Sequence, residues 1–193
     1  MKKCLNPFVY VSGERSLAYG LAVTILTAIL AWQCDVLTNG ALSLGYGHEL
    51  LWKAFARLLA VWAVGAVLLY AAALLLSKSK IRAIDVFGMN LLARSLPFAV
   101  MVLLTAWMAP VLVPLQETML AQGISADEMV ETVRSFRVLA GGFLSIVCFV
   151  WYVVWTYQAY ALAANLKGWR AVASFAVCFL AADLASRYLV ALL

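Results

Sequence analysis

Charged side chains are few in this sequence. Of 193 residues, 12% are Asp, Glu, Lys or Arg, against about 25% in a soluble domain. Histidine occurs once, at His48. A Ser-His-Asp device would have to enlist this residue alone, and metal or acid–base work would need partners that no spacing supplies. The four cysteines, Cys4, Cys34, Cys148 and Cys178, fall without metal, redox or disulfide spacing. Cys148 and Cys178 lie inside apolar blocks, where Cys acts as a small hydrophobe. There is no internal repeat and no low-complexity tract. The residues therefore assign no catalytic position, no cofactor and no metal ligand.

Apolar residues make up 66% of the chain, and mean hydropathy is +0.98. One soluble core of this size cannot hide so much apolar surface. The apolar residues come in long blocks, as lipid-facing helices require. The net charge of +5 and pI near 9.1 do not point to nucleic acid. The basic residues form no face or run and sit at the ends of the apolar blocks.

A bilayer core of about 30 Å needs ~20 apolar residues in a helix. Five blocks qualify: Leu17–Trp32, Leu58–Leu76, Leu96–Leu112, Val138–Leu162 and Ala171–Leu193. The fold class is thus all-α, a single five-span bundle over residues 1–193. Lys2 and Lys3 precede the first block, but Ala31-Trp32-Gln33-Cys34 makes a poor cleavage site. The block reads as a retained span. Asn39-Gly40 signals a turn, and Lys167-Gly168 joins the last two spans. Pro97 suits the first turn of the third helix, and Pro110 and Pro114 are expected to close it. Ser125-Ala126-Asp127-Glu128 reads as a capping box, with a helix starting there and running into the fourth span.

Five spans put the N-terminus, the second loop and the fourth loop on one side. That side carries Lys2, Lys3, Arg15, Lys78, Lys80, Arg82, Arg94, Lys167 and Arg170. The other side carries Lys53, Arg57, Arg134 and Arg137, with most of the acids. Positive charge orients the richer side to the cytoplasm, so the N-terminus is expected inside and the C-terminus outside. A bacterial inner membrane is the expected location.

Two stripes of small residues recur at four-residue spacing: Ser16, Gly20, Thr24, Ala28, and Ser174, Cys178, Ala182, Ser186. Each serves either as packing inside the bundle or as a dimer face. Asp183 and Arg187 form the one charged pair within an apolar block, four residues apart on one helix face. The pair is either a polar site for an ion, proton or lipid headgroup, or a self-neutralising structural pair. In the structural case, exchanging the two residues should be better tolerated than either single change. Ile81, Ile84, Gly88, Leu91 and Leu92 mark one helix face, with Arg82, Asn90 and Arg94 largely opposite. With Lys78 and Lys80, this stretch reads as an amphipathic elbow that meets lipid or a partner, or as a solvated lead into the third span. Trp151, Tyr152, Trp155, Tyr157 and Tyr160 suit an aromatic belt and packing more than a stacking cage.

The layout resembles the YIP family of five-span, Rab-interacting-protein-like membrane proteins, in its compact bacterial form. The resemblance runs over nearly the whole chain. It rests on Asn6-Pro7-Phe8, the elbow Ser77-Lys78-Ser79-Lys80-Ile81-Arg82, Asp85-Val86-Phe87-Gly88, Ala93-Arg94-Ser95-Leu96-Pro97 and Asn165-Leu166-Lys167-Gly168-Trp169. The longer N-terminal region and the Asp-Leu-Tyr-Gly-Pro motif of the family's trafficking members have no counterpart before the first span. The resemblance implies the same cytosolic N-terminus and no assigned chemistry. The sequence thus reads as a non-catalytic membrane component, in contact with the bilayer, organising lipids, a protein partner or copies of itself through Lys78, Lys80, Arg82 and Arg94. The alternative is a small transporter or channel subunit with a polar site around Asp183 and Arg187, joined by Arg94.

Overall fold

The computed structural model describes residues 7–77, 79–122 and 126–192, with backbone alone at 122 and 126–128. Lys2, Lys3, Cys4, Asn6, Lys78 and Ser125 lie outside the described residues.

A 3-10 turn at Pro7–Val9 precedes helix α1, Glu14–Gln33. A short hairpin follows, β1 Val36–Thr38 and β2 Leu44–Tyr46, and then helix α2, Leu51–Leu76. Helix α3 covers Ala83–Gln122, α4 Ala126–Arg134, α5 Phe136–Ala163 and α6 Trp169–Val190. Five of these helices are long and apolar enough to cross a membrane. The protein is therefore a multi-pass helical membrane protein whose apolar helix faces meet the bilayer.

The second span begins seven residues earlier than the apolar block, so Lys53 and Arg57 belong to the first turns of α2. The larger departure is α3. Pro97, Pro110 and Pro114 all lie inside it, and the last two do not close it. Each proline removes one N–H and so leaves one carbonyl without its helical donor. Loss of a single bond can bend a helix without ending it, because the flanking turns keep theirs. At 1.5 Å per residue, its 40 residues reach about 60 Å, twice a bilayer core. The helix therefore carries the elbow at one end and projects well past the apolar layer at the other. Helix α4 starts where the capping signal placed it. It does not run into the fourth span, because Ser135 adopts an extended ψ of 129° before α5 begins.

Helix α3 is the hub, packing against α1 on one side and α5 on the other, while α2 lies against α6. Both small-residue stripes are packing faces. Ser16, Gly20, Thr24 and Ala28 are all buried. A methyl group on Gly20 would sit 2.8 Å from Leu91 Cγ, and one on Gly88 would sit 2.7 Å from Ser16 Oγ. Only hydrogen at both positions lets α1 and α3 cross this closely. The second stripe faces α2, with Cys178 Sγ 3.7 Å from the Leu68 carbonyl. Phe8 is 1% exposed and meets Trp155 edge to face at 5.8 Å, beside Met89, Ala93 and Ala159. The segment before α1 is thereby fixed to the bundle.

The turn between α5 and α6 uses Asn165 at φ 50°. Its N–H donates to Leu162 O at 3.2 Å, and the Leu166 N–H donates to Ala161 O at 3.0 Å. These two bonds define a Schellman cap, in which Asn stands in for the usual glycine.

Candidate functional site: a hairpin latched to the last helix

The hairpin is antiparallel, pairing Val36 with Tyr46, Leu37 with Gly45 and Thr38 with Leu44. The Asn39 N–H donates to Ser43 O at 2.9 Å to close the loop. Val36 and Thr38 are 1% and 2% exposed, with Val36 packed among Ala28, Ala31, Leu58 and Phe98. The hairpin thus folds back into the bundle and does not float above it. Its loop then brings backbone N–H groups into an apolar setting, where each needs an acceptor.

Helix α6 supplies those acceptors. The Leu42 N–H donates to Asp183 Oδ1 at 3.1 Å, and the Ala41 N–H donates to Ser186 Oγ at 3.1 Å. Ser186 in turn donates to the Asp183 carbonyl at 2.9 Å. The second carboxylate oxygen, Oδ2, takes Arg187 Nε and Nη2, both at 2.9 Å. The Asp183 side chain is 11% exposed and that of Arg187 53%. Gly40 completes the fit, since a methyl there would lie 2.8 Å from Arg187 Cγ. Both carboxylate oxygens are engaged, and the pair acts as a latch between two ends of the chain. What it does chemically is hold backbone donors and cancel its own charge.

No family model, no curated protein and no solved structure matches the chain.

Two further polar contacts involve residues that bracket the hairpin in sequence, and neither was read from the sequence. Arg57 Nε lies 3.2 Å from Glu49 Oε2, with side chains 17% and 7% exposed. Eight residues is close to two helical turns, the one available sign that they could meet. Burial pushes the Glu49 carboxyl above its usual value, against the pull of Arg57 and then Lys53. At the end of α1, Asp35 adopts φ 51°, and its Oδ1 meets His48 Nδ1 at 2.6 Å in an exposed position. The pair borders a cavity of about 380 Å³ between the hairpin and α3, which Cys34, Tyr46, Gln116 and Glu117 also line. The Tyr46 hydroxyl donates to Thr105 O at 2.9 Å, and burial raises its phenol above the usual range. Among the described residues, no three His, Cys, Asp or Glu side chains converge to hold a metal.

The elbow is divided. Lys80 and Arg82 are exposed and make no ion pair among the described residues. Arg94 is not part of this surface. The stretch from Ala83 onward is already α3, where Asn90 and Arg94 turn inward at 6% and 5% exposure. Both faces of this stretch pack into the bundle from Gly88 onward: Gly88 and Leu91 of the apolar one meet α1, Asn90 and Arg94 of the polar one are buried, and Arg82 and Ile84 stay exposed at its start. In a membrane the exterior is apolar, so a polar side chain on a helix does not mark a solvated face. The aromatic residues of α5 pack inward: Tyr152 tilts against Phe179 at 5.6 Å, and Tyr157 meets Phe175 at 5.5 Å.

Proposed function

We propose that this chain is a non-catalytic membrane component of the YIP-like type that gathers anionic lipid at its basic elbow. On this reading the N-terminus and the elbow face the cytoplasm of a bacterial inner membrane. The observation that carries the reading is the commitment of Asp183. A transporter or channel built on Asp183 and Arg187 needs them turned toward a path, whereas here Asp183 accepts the Leu42 amide and Arg187 closes on Asp183. Exposed cations gather at the other end of the bundle. Lys80 and Arg82 are exposed there, as are Lys167 and Arg170. Taking Arg94 out of the loop count leaves eight basic residues against four, so the charge argument for orientation stands.

Beside the elbow, the end of α2 and the start of α6 frame an open groove of about 400 Å³. Ala72, Leu75, Leu76, Trp169 and Val177 line it, with Arg170 at its edge. An acyl chain along the groove would bring a phosphate to Arg170, and the charge favours an anionic headgroup over a zwitterionic one.

Native mass spectrometry on protein purified in mild detergent tests this. Each cation near the surface contributes about 1 kcal/mol, or roughly fivefold in affinity. The joint change Lys78→Gln, Lys80→Gln, Arg82→Gln should therefore remove most of the preference for anionic over zwitterionic phospholipid. Unchanged lipid selectivity would refute the reading. Loss of a co-purifying polypeptide with lipid unaffected would assign the elbow to a protein partner. For orientation, a cysteine replacing Ser79 should react with an impermeant reagent only after the cells are opened. Labelling in intact cells would invert the topology.

A further inference from the structure

Among the described residues, Arg94 is the one buried arginine. It lies 11 residues into α3, about 17 Å from that helix's start by helical rise. The residue is 5% exposed, and its Nη2 is fully buried with no hydrogen-bond partner. The Phe98 ring covers one side, 4.7 Å from the guanidinium carbon. A cation–π contact of this kind offsets part of the charge but accepts no N–H.

Two small cavities meet at this side chain. One, of about 20 Å³, is bordered by Trp62, Asn90, Tyr152, Thr156 and Cys178 as well as Arg94. The other, of about 10 Å³, lies toward Thr24, Thr27, Leu91 and Phe98. No carboxylate lines either one. The carboxylate of the inward face of α6, Asp183, is already bound to Leu42 and Arg187. The Thr156 hydroxyl donates to its own helix at Tyr152 O, and Thr24 does the same at Gly20 O. A cation in this position is costly unless something neutralises it, and among the described residues no carboxylate forms an ion pair with it.

We infer that Arg94 is the ligand of a buried halide-binding site between α2, α3, α5 and α6, with chloride as the occupant. The larger cavity has room for one water-sized body. A monatomic anion fits that space with little relaxation, whereas sulfate, phosphate and carboxylates are too large. Arg94 Nη2 would donate from one side, and the Asn90 carboxamide and Tyr152 hydroxyl, both on this cavity wall, are the other donors within it. The ion would restore neutrality at mid-membrane and hold α3 and α5 to one centre. This site lies away from the lipid elbow and does not depend on it.

The test uses full-length protein in detergent at fixed ionic strength, with sodium gluconate progressively replaced by sodium chloride or bromide. Ligand binding to the folded state should raise Tm in a saturable way. The rise should be roughly 2–4 °C when halide is about five times its dissociation constant. Arg94→Gln should abolish the dependence, and the milder Asn90→Leu should move the half-saturating halide concentration upward several-fold. Equal Tm in gluconate and chloride would overturn the inference, as would a shift that survives Arg94→Gln, which would mark a general salt effect. If Arg94→Gln does not fold, the wild type in bromide decides. An anomalous scattering peak beside Arg94 supports the site, and its absence from crystals grown in bromide overturns it.

Discussion

Replacing Asp183 with Asn keeps the shape of the side chain and removes its charge, so it isolates what the carboxylate does. Oδ1 accepts the Leu42 N–H at 3.1 Å. A hydrogen bond to a charged group contributes ~1.5–3 kcal/mol and a neutral one ~0.5–1.5, so the change costs about 1 kcal/mol there. The bond to Arg187 is worth less than its 2.9 Å suggests, because that side chain is 53% exposed and solvent screens the pair. It contributes in the surface range of ~0.2–1 kcal/mol. Asp183→Asn should therefore cost about 1–2 kcal/mol, a fall in Tm of roughly 2–8 °C for a chain of this size. Arg187→Gln should cost less, because Asp183 keeps the hairpin amide. Asp183→Leu should cost ~1–3 kcal/mol more than the Asn change, since the Leu42 N–H then has no acceptor. Exchanging the two residues should not rescue the protein, contrary to what their spacing alone predicts. An arginine at 183 restores the ion pair and cannot accept from Leu42. Thermal unfolding in detergent measures the global cost, and hydrogen exchange at Ala41 and Leu42 measures release of the loop. A well-folded Asp183→Asn protein with unchanged Tm and unchanged exchange at both amides would refute the latch.

Gly40→Ala places a methyl 2.8 Å from Arg187 Cγ, so it should lower Tm by a few degrees in the wild type and hardly at all beside Arg187→Ala; equal effects in both backgrounds would separate Gly40 from the latch. Phe8→Ala empties a pocket beside Trp155, Met89 and Ala93 and should cost ~3–5 kcal/mol by thermal unfolding, the range for a buried Phe; a loss under ~1 kcal/mol would mean the segment before α1 is only loosely held. Glu49 is raised by burial, so its proton is held more tightly folded than unfolded. Its contribution to stability is complete below its ordinary value of 4.5 and is lost as pH rises through the raised folded value. Glu49→Gln should flatten the Tm–pH profile over that window, and superimposable profiles would exclude Glu49 as a source of pH dependence.

Periodicity and apolar length were enough to find all five spans, because in lipid the backbone must close on itself and only long apolar helices do so. Proline misled at 110 and 114 because each removes only one helical bond, and the turns on either side carry the helix through. Arg94 and Asn90 misled because a polar side chain marks a solvated helix face in water and need not do so beside lipid. The spacing of Asp183 and Arg187 was legible. The rest of the latch was not, because its donors are the backbone N–H groups of Ala41 and Leu42, which every sequence has and none advertises. Thr38 and Val36 tuck inward by strand alternation, yet three-residue strands leave too short a pattern to read.

The latch also orders events in time. Ala41 and Ser186 are 145 residues apart, Leu42 and Asp183 141. At ~5–20 residues per second, a ribosome needs roughly 7–30 s to pass from one to the other. Through that interval the hairpin amides face water or the insertion machinery, and the first two helices are only half fixed to one another. Arrival of α6 closes the assembly, bringing in one step the acceptors that the hairpin loop lacks. A chain halted anywhere before Asp183 would present an open hairpin, a mark by which quality control could tell an unfinished copy from a finished one.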